Sequence, residues 1–384
     1  MAGRDIPSTV SLSLWGAAFV GPPGSGKTTA VHGIGDVLEK LGRPTIRINL
    51  DPANDILPWT PDVDVRDLIA AEDVAEATEL GPNGALTWAM EYIAANMDWL
   101  VQACAEAVVR AACAIDAPGA WCLFDCPGQV ELYTHSTVAA NMLHALEKQL
   151  HMRLMVVHTA DATLCTDAER FLAVATAGLA TMIRLELPAV HALTKVDLLA
   201  GTGALKYGLR FYTDMLDPRR LLRDLPRFQA PAAMRGLPEP AVHWDDDIED
   251  DAPLPAAARS ARPEPTVGPA TQAARRKYTA LHGALVELLE DFHLVSWQPV
   301  AIQDRDTVVA LITLMDKALG YAPGALREHL RVTPAEVQEG MPAGLDALAA
   351  AGLRPRASNM PSAAPAGLNL LASDTTDAVA DRYT

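Results

Sequence analysis

Gly21-Pro22-Pro23-Gly24-Ser25-Gly26-Lys27-Thr28 decides how this chain reads. A glycine, four residues, then Gly-Lys-Ser/Thr is the spacing of a loop that holds phosphate. Its setting agrees. Leu12–Val20 before it is a short apolar run that predicts a buried strand, and Lys27–Leu41 after it has helical spacing and is stopped by Gly42. Glycines let the backbone curl until successive N–H groups face one point, and the first turn of the helix adds its positive end. Gly24, Ser25, Gly26 and Thr29 are the expected wrap, with the Lys27 ammonium on the β- and γ-phosphates and the Thr28 hydroxyl on Mg²⁺. The alternative is a glycine-rich turn with no ligand. The pattern points to a nucleoside triphosphate and magnesium without naming the base.

Outward from that loop, short apolar runs alternate with helical stretches. Strands are expected at Thr45–Leu50, Trp121–Asp125, Leu154–Thr159, Ala189–Thr194 and Leu294–Val300. Helices are expected over Gly84–Cys113 with one break, Ser136–Leu150, Ala168–Arg184, Ala274–Phe292 and Asp304–Leu319. Continuous apolar strands joined by helices predict an α/β P-loop NTPase fold: a mostly parallel sheet with helices on both faces. Such sheets bind ligands at the carboxyl ends of their strands.

The division that follows is a flexible arm at 1–11, a core at 12–224, an insertion at 225–275, the rest of the core at 276–322 and a tail at 323–384. The insertion is rich in Pro and Ala and holds Asp245-Asp246-Asp247 and Glu249-Asp250-Asp251, while the tail is Ala- and Pro-rich. Neither has the apolar content to offset ordering entropy, so both are expected to be disordered.

The chain has 384 residues, 50% of them hydrophobic, and a formal net charge of -17. That acidity disfavours direct nucleic-acid binding. No stretch has the length and apolarity of a membrane span, and the start lacks the basic-then-apolar order of a signal peptide, so a cytosolic protein is expected. The five cysteines (Cys104, Cys113, Cys122, Cys126, Cys165) include no C-x-x-C pair. Small buried apolar residues are expected there, not a zinc site or a disulfide framework.

Two later segments extend the nucleotide reading. Leu123-Phe124-Asp125-Cys126-Pro127-Gly128-Gln129 follows a strand end. Asp125 can hold Mg²⁺, usually through water, Gly128 offers an N–H to the γ-phosphate, and Gln129 can orient the attacking water. A proline turn after a strand is the plainer alternative. Thr194-Lys195-Val196-Asp197 stands where a guanine reader would. Asp197 would accept from guanine N1 and N2, a pairing adenine cannot offer, and Lys195 would lie over the base. After the last strand, Ala301 has a backbone N–H placed to reach guanine O6; an ordinary strand-to-helix turn is the other reading.

Between these segments stands Gly81-Pro82-Asn83. With Asn49-Leu50-Asp51-Pro52-Ala53, Met90-Glu91-Tyr92, Asn96-Met97-Asp98-Trp99-Leu100 and Cys165-Thr166-Asp167, it makes the chain resemble the GPN-loop GTPases, closest to the second of three eukaryotic paralogues. The likeness runs from about Ala18 to Thr213 and again from about Lys277 to Tyr321. It implies a homodimer, or a heterodimer of paralogues, in which Asn83 reaches the other subunit's γ-phosphate. It also implies Asp51 in the first switch, on a magnesium-bound or nucleophilic water, and Glu131 as a further water ligand. An N-capping Asp51 and a solvated Glu131 are the structural alternatives. The likeness implies a role with RNA polymerase subunits or their assembly factors, and shuttling between cytoplasm and nucleus. Thr194 stands where the family commonly has Asn or Ser, and Ala301 where Asn is often found. Three functions remain open on sequence: a GTP-driven assembly factor, a kinase that passes the γ-phosphoryl to an acceptor, and a nucleotide-gated binding module.

Overall fold

The computed structural model describes residues 13–115, 119–199, 205–215, 217–224, 269–292 and 296–321. The expected N-terminal arm and C-terminal tail lie outside these residues, as does the insertion up to residue 268.

Seven strands form a single sheet: β1 (Ser13–Val20), β2 (Thr45–Asn49), β3 (Val63–Asp64), β4 (Gly119–Asp125), β5 (Arg153–Asp161), β6 (Ala189–Thr194) and β7 (Trp297–Val300). Their order is β3-β2-β4-β1-β5-β6-β7, and every pairing is parallel. The central strands are buried on both faces, which is why they read as unbroken apolar runs.

Alternate residues of each strand serve opposite layers. On one face Phe19, Trp121, Leu123, Met155 and Val157 pack with Val31, Ile34 and Leu38 of α1 (Lys27–Lys40) and with Leu311, Ile312 and Met315 of the last helix. On the other, Ala18, Val20, Ile46, Ile48, Phe124 and Val156 meet α3 (Pro82–Ala95), α4 (Met97–Ile115) and α6 (Val138–Gln149). A third cluster joins Ala160, Leu193 and Trp297 to Phe171, Leu172, Tyr212 and Leu289, on α7 (Ala168–Leu185), α8 (Leu209–Thr213) and α10 (Pro269–Phe292). The last helix is α11 (Arg305–Leu319). Cys104, Cys122, Cys126 and Cys165 are free and buried in these layers, as expected.

The predicted long helix is α3 and α4, broken at Asn96. The Asn96 Nδ2 donates to the Tyr92 carbonyl at 2.8 Å, a local bond that competes with continuing the helix. Smaller elements went unpredicted: β3, α2 (Ala71–Thr78), α5 (Glu131–Thr134), α8 and α9 (Arg219–Asp224). The insertion boundary at 275 needs correcting. Helix α10 starts at Pro269, because a proline suits a first helical position and the Ala-rich residues after it favour helix.

The register gathers polar residues at one end of the sheet. Asn49 lies beside Asp125 and beside Asp64, and Phe19, one residue from the end of β1, also faces Asp125. The loop after β1 opens onto that same carboxyl end.

Candidate active site

The bend between β1 and α1 is built on Gly21, Gly24 and Gly26. Gly24 has φ 74° and Gly26 has φ 87°, a region where a side chain is strained. A methyl on Gly24 would meet nothing within 4 Å, so the bend opens outward there. The Ser25 N–H donates to the Pro22 carbonyl at 3.2 Å, which closes the turn. Lys27 is 8% exposed, and its Nζ donates to the Gly21 and Pro22 carbonyls at 3.1 and 3.2 Å. Burial lowers its pKa, while the charges of Asp125 and Asp51 support the ammonium form. A cation held in such a place is suited to a polyanion. Thr28 is half-buried and Thr29 exposed on the first turn of α1.

The bend is braced from two neighbouring strands. The Ser25 and Thr159 hydroxyls are 2.7 Å apart, and Thr159 also donates to the Val20 carbonyl at 3.3 Å. The Thr194 hydroxyl lies 2.6 Å from the Ser25 carbonyl and 3.0 Å from that of Ala160. Thr194 therefore acts on the cradle's backbone rather than presenting its hydroxyl to a base. The buried Ser25 carbonyl needs a donor, and Thr194 supplies it.

The rest of the expected base reader is arranged differently. Lys195 adopts φ 60°, and its Nζ donates to Asp161 at 2.8 Å. Burial alone would raise the Asp161 carboxyl, but bonds from Lys195 and Thr163 outweigh it and hold it below the usual range. Lys195 is thereby fixed above the end of β5. Asp197 is exposed in the turn Val196–Leu198, open to a ligand. Ala301 lies in a turn closed on itself: its N–H donates to the Thr307 hydroxyl at 3.1 Å, and that hydroxyl donates back to the Ala301 carbonyl at 2.9 Å. To meet a guanine O6, that N–H would have to share or give up its bond to Thr307.

At the end of β4, the Asp125 carboxylate is 1% exposed; the Thr28 hydroxyl is at most a weak donor to it, and it forms no ion pair among the described residues. Burial and the like charge of Asp51 push its pKa up to about 6, against the nearby Thr28 hydroxyl and Lys27 charge. Asp51 is raised too, chiefly by burial, with the Ala53 N–H and Lys27 opposing. Its Oδ1 accepts from the Ala53 N–H at 3.0 Å, so Asp51 does cap the turn that follows it. Gly128 follows close by: a methyl on it would sit 3.1 Å from the Lys27 Nζ and 3.2 Å from the Pro23 Cα. Gln129 is half-buried beyond it, and Glu131 is exposed at the start of α5.

A buried carboxylate without a partner is unstable unless a cation answers it. Thr28 and Asp125 are the side chains that would hold Mg²⁺, with Asp51 near enough to act through water. No group of three or more His, Cys, Asp or Glu side chains suited to a metal occurs among the described residues. Magnesium commonly keeps several waters and takes other ligands from substrate phosphates, so it needs only one or two protein side chains.

The structure also brings in residues that motif reading passed over. The loop after β2 folds onto α1: the Trp59 Nε1 donates to the Thr28 carbonyl at 3.2 Å, and the Asn54 Nδ2 approaches the Thr28 hydroxyl at 3.4 Å. Arg66 and Asp64 hold that loop from the sheet edge. None of these belongs to a motif with a fixed spacing, so only the apposition in space reveals them.

A family model described as a conserved hypothetical ATP binding protein matches residues 19–243. The chain is 35% identical over 329 residues to a GPN-loop GTPase 2 of Danio rerio, covering 86% of this chain and 87% of that one. It belongs to the GPN-loop GTPases. A GPN-loop GTPase 2 of Saccharomyces cerevisiae is 29% identical over 80% of this chain and 74% of its own length. Both relatives carry the name of the second paralogue. In solved structures, a GTPase of Pyrococcus abyssi superposes with a TM-score of 0.52 at 20% identity, over 79% of this chain and 97% of that one, which supports the fold.

The family's GPN loop is Gly81-Pro82-Asn83 in this chain. Gly81 caps α3 with φ -65° and ψ 165°, Pro82 opens the helix, and Asn83 is exposed in its first turn. Helix α3 packs against α2, α4 and α6, on the sheet face opposite α1. An exposed Asn83 has its amide free for a group outside this chain.

Proposed function

We propose that this chain is a magnesium-dependent GTP switch that works as a dimer. As a GPN-loop GTPase it hydrolyses GTP to GDP and phosphate. The observation that carries the magnesium reading is the buried Asp125 carboxylate, with no ion pair of its own, beside Thr28 and Lys27 at the end of β4.

In this reading the N–H groups of Gly24 to Thr29 and the Lys27 ammonium bind the phosphate tail, and Gly128 adds an N–H at its far end. Thr28 and Asp125 would hold Mg²⁺, which when bound would supply charge neutralisation for phosphoryl transfer. Gln129 orients the attacking water. Asp51, its pKa raised chiefly by burial, would hold a water beside the metal site or receive a proton from the nucleophilic water. Glu131 supports a water at the rim. Asp197 accepts from guanine, and Lys195, fixed by Asp161, covers the base.

Asn83 donates to the γ-phosphate of the partner subunit's nucleotide, so hydrolysis depends on assembly. The partner is a second copy or a related GPN-loop chain. Loss of the γ-phosphate releases the switch loops and changes the dimer's shape. In the same reading the client is an RNA polymerase under assembly or import, and the protein works in the cytoplasm with passage to the nucleus. No helix of the described residues is long and apolar enough to cross a membrane.

Incubation of the purified protein with γ-labelled GTP tests the chemistry. Labelled inorganic phosphate is expected. Label on an added acceptor would make it a kinase, and intact GTP would make it a binding module. Light scattering with GDP and with a GTP analogue tests the dimer, which should form or tighten with the triphosphate.

A further inference from the structure

The loop from Leu50 to Asp62 runs between β2 and β3 without helix or strand of its own. It carries Asp51 and Asn54 toward Thr28. Something outside the loop must set its height above the cradle, and the bonds that hold it at Asp51 and at Asn54 converge on one carboxylate.

That carboxylate is Asp64, on the edge strand β3. Its Oδ1 accepts from the Arg66 backbone N–H at 3.0 Å, from the Arg66 Nε at 3.0 Å and from the Asn49 Nδ2 at 2.9 Å. Its Oδ2 accepts from the Arg66 Nη2 at 2.6 Å. The remaining arm of the guanidinium, Nη1, donates to the Asn54 carbonyl at 2.7 Å. Asn49 in turn grips the start of the loop: its Nδ2 donates to the Asp51 carbonyl at 3.2 Å, and its Oδ1 accepts from the Asp51 N–H at 3.1 Å. Asp64 thus braces both handholds. Through Asn49 it holds Asp51, and through Arg66 it holds Asn54, whose amide faces the Thr28 hydroxyl.

We propose that Arg66, braced by Asp64, is the positioning residue that sets the Asp51–Asn54 loop over the phosphate cradle for hydrolysis. An exposed ion pair contributes little. This pair is sheltered, with side chains 28% and 13% exposed, and its geometry is the planar fork that only arginine makes. A displacement of about 1 Å in a catalytic group can slow a reaction by about a hundredfold.

The inference rests on Asp51 acting in hydrolysis, so the experiment compares Arg66→Gln, Arg66→Lys and Asp64→Asn with Asp51→Asn. GTP turnover is measured across a Mg²⁺ titration, and binding of a fluorescent GDP analogue is measured alongside. Arg66→Gln is expected to lower kcat about tenfold or more and to raise the Mg²⁺ half-saturation several-fold, with GDP affinity within about twofold. Arg66→Lys keeps the charge and the stem, so it carries the test if the Gln variant does not fold; it should fail to restore kcat. The Asp64→Asn, Arg66→Gln double variant should be no slower than the worse single. Amide exchange over 51–56 should quicken in each. If both Arg66 variants keep wild-type kcat and Mg²⁺ dependence and merely melt earlier, Arg66 is a structural tie and the proposal fails. Unchanged turnover in Asp51→Asn would instead remove the role of the loop itself, and the proposal with it.

Discussion

The hydroxyl of Thr194 lies 2.6 Å from the carbonyl of Ser25, so the residue that opens the base-reading segment is bonded to the phosphate loop. The proposed base-reading segment and the phosphate loop are therefore mechanically tied. A serine or asparagine at this position would keep a polar side chain there; an apolar one would leave a buried carbonyl without its donor.

Thr194→Val keeps the shape and removes the hydroxyl. It should destabilise the fold by about 1–3 kcal/mol and weaken GTP-analogue binding several-fold, while Thr194→Ser stays near wild type. Thermal unfolding and analogue titration check both. Val binding as well as Thr would break the link between the two sites.

Asp125 gives a pH dependence with a definite sign. Burial pushes its pKa from the ordinary carboxylate range up to about 6 in the fold, so between those values the folded chain keeps a proton that the unfolded chain releases. Stability from this group is complete below the unfolded value and is lost as pH rises through about 6. Asp51 shifts in the same direction. Asp125→Asn should therefore stabilise the metal-free protein near neutral pH, by on the order of 2 kcal/mol, while abolishing Mg²⁺-dependent hydrolysis. In the wild type, stabilisation by Mg²⁺ should fade as pH drops below about 6. Melting curves with and without Mg²⁺ between pH 5 and 8 check this; a variant less stable than wild type without metal would contradict it.

Gly21 tests the cradle's backing. A methyl there would strike the Thr159 carbonyl and lie 2.7 Å from the Thr159 hydroxyl. Backbone cannot step aside as a side-chain tip can, so Gly21→Ala should cost about 1–3 kcal/mol and lose most triphosphate affinity. Unchanged affinity in a calorimetric titration would show that the Thr159 brace does not matter for binding.

Asn83 is exposed, so Asn83→Ala should change stability by less than about 0.5 kcal/mol and leave nucleotide binding nearly intact. Hydrolysis should slow by on the order of tenfold or more, as when a donor to a developing charge is removed. Mixing it with a Lys27→Ala chain should restore part of the activity, because one subunit keeps the cradle and the other keeps the asparagine. No recovery in the mixture would argue against action between subunits.

Much of the fold was legible because the central strands are buried on both faces, and such strands announce themselves as apolar runs bounded by glycine and proline. The cradle was legible for a related reason: Gly24 and Gly26 sit at backbone angles that exclude most side chains. The two residues of β3 are too few to show a period, and the short helix α5 begins directly after the Gln129 segment. Thr194 matched a base-reading pattern, yet its hydroxyl answers a carbonyl 169 residues away, which no local spacing reveals. The sequence pattern around Ala301 likewise gives no sign of the Thr307 hydroxyl that its N–H meets. The Arg66–Asp64 pair looks like any surface charge pair until Asn49 and Asn54 are placed beside it.

The most direct test of the whole account is calorimetric titration of a non-hydrolysable GTP analogue, with Mg²⁺, into the wild-type chain and Lys27→Ala. The ammonium held between the Gly21 and Pro22 carbonyls is expected to grip the triphosphate, so binding should be saturable in the wild type and lost in the variant. Equal affinity in the two proteins would place the nucleotide somewhere other than this bend.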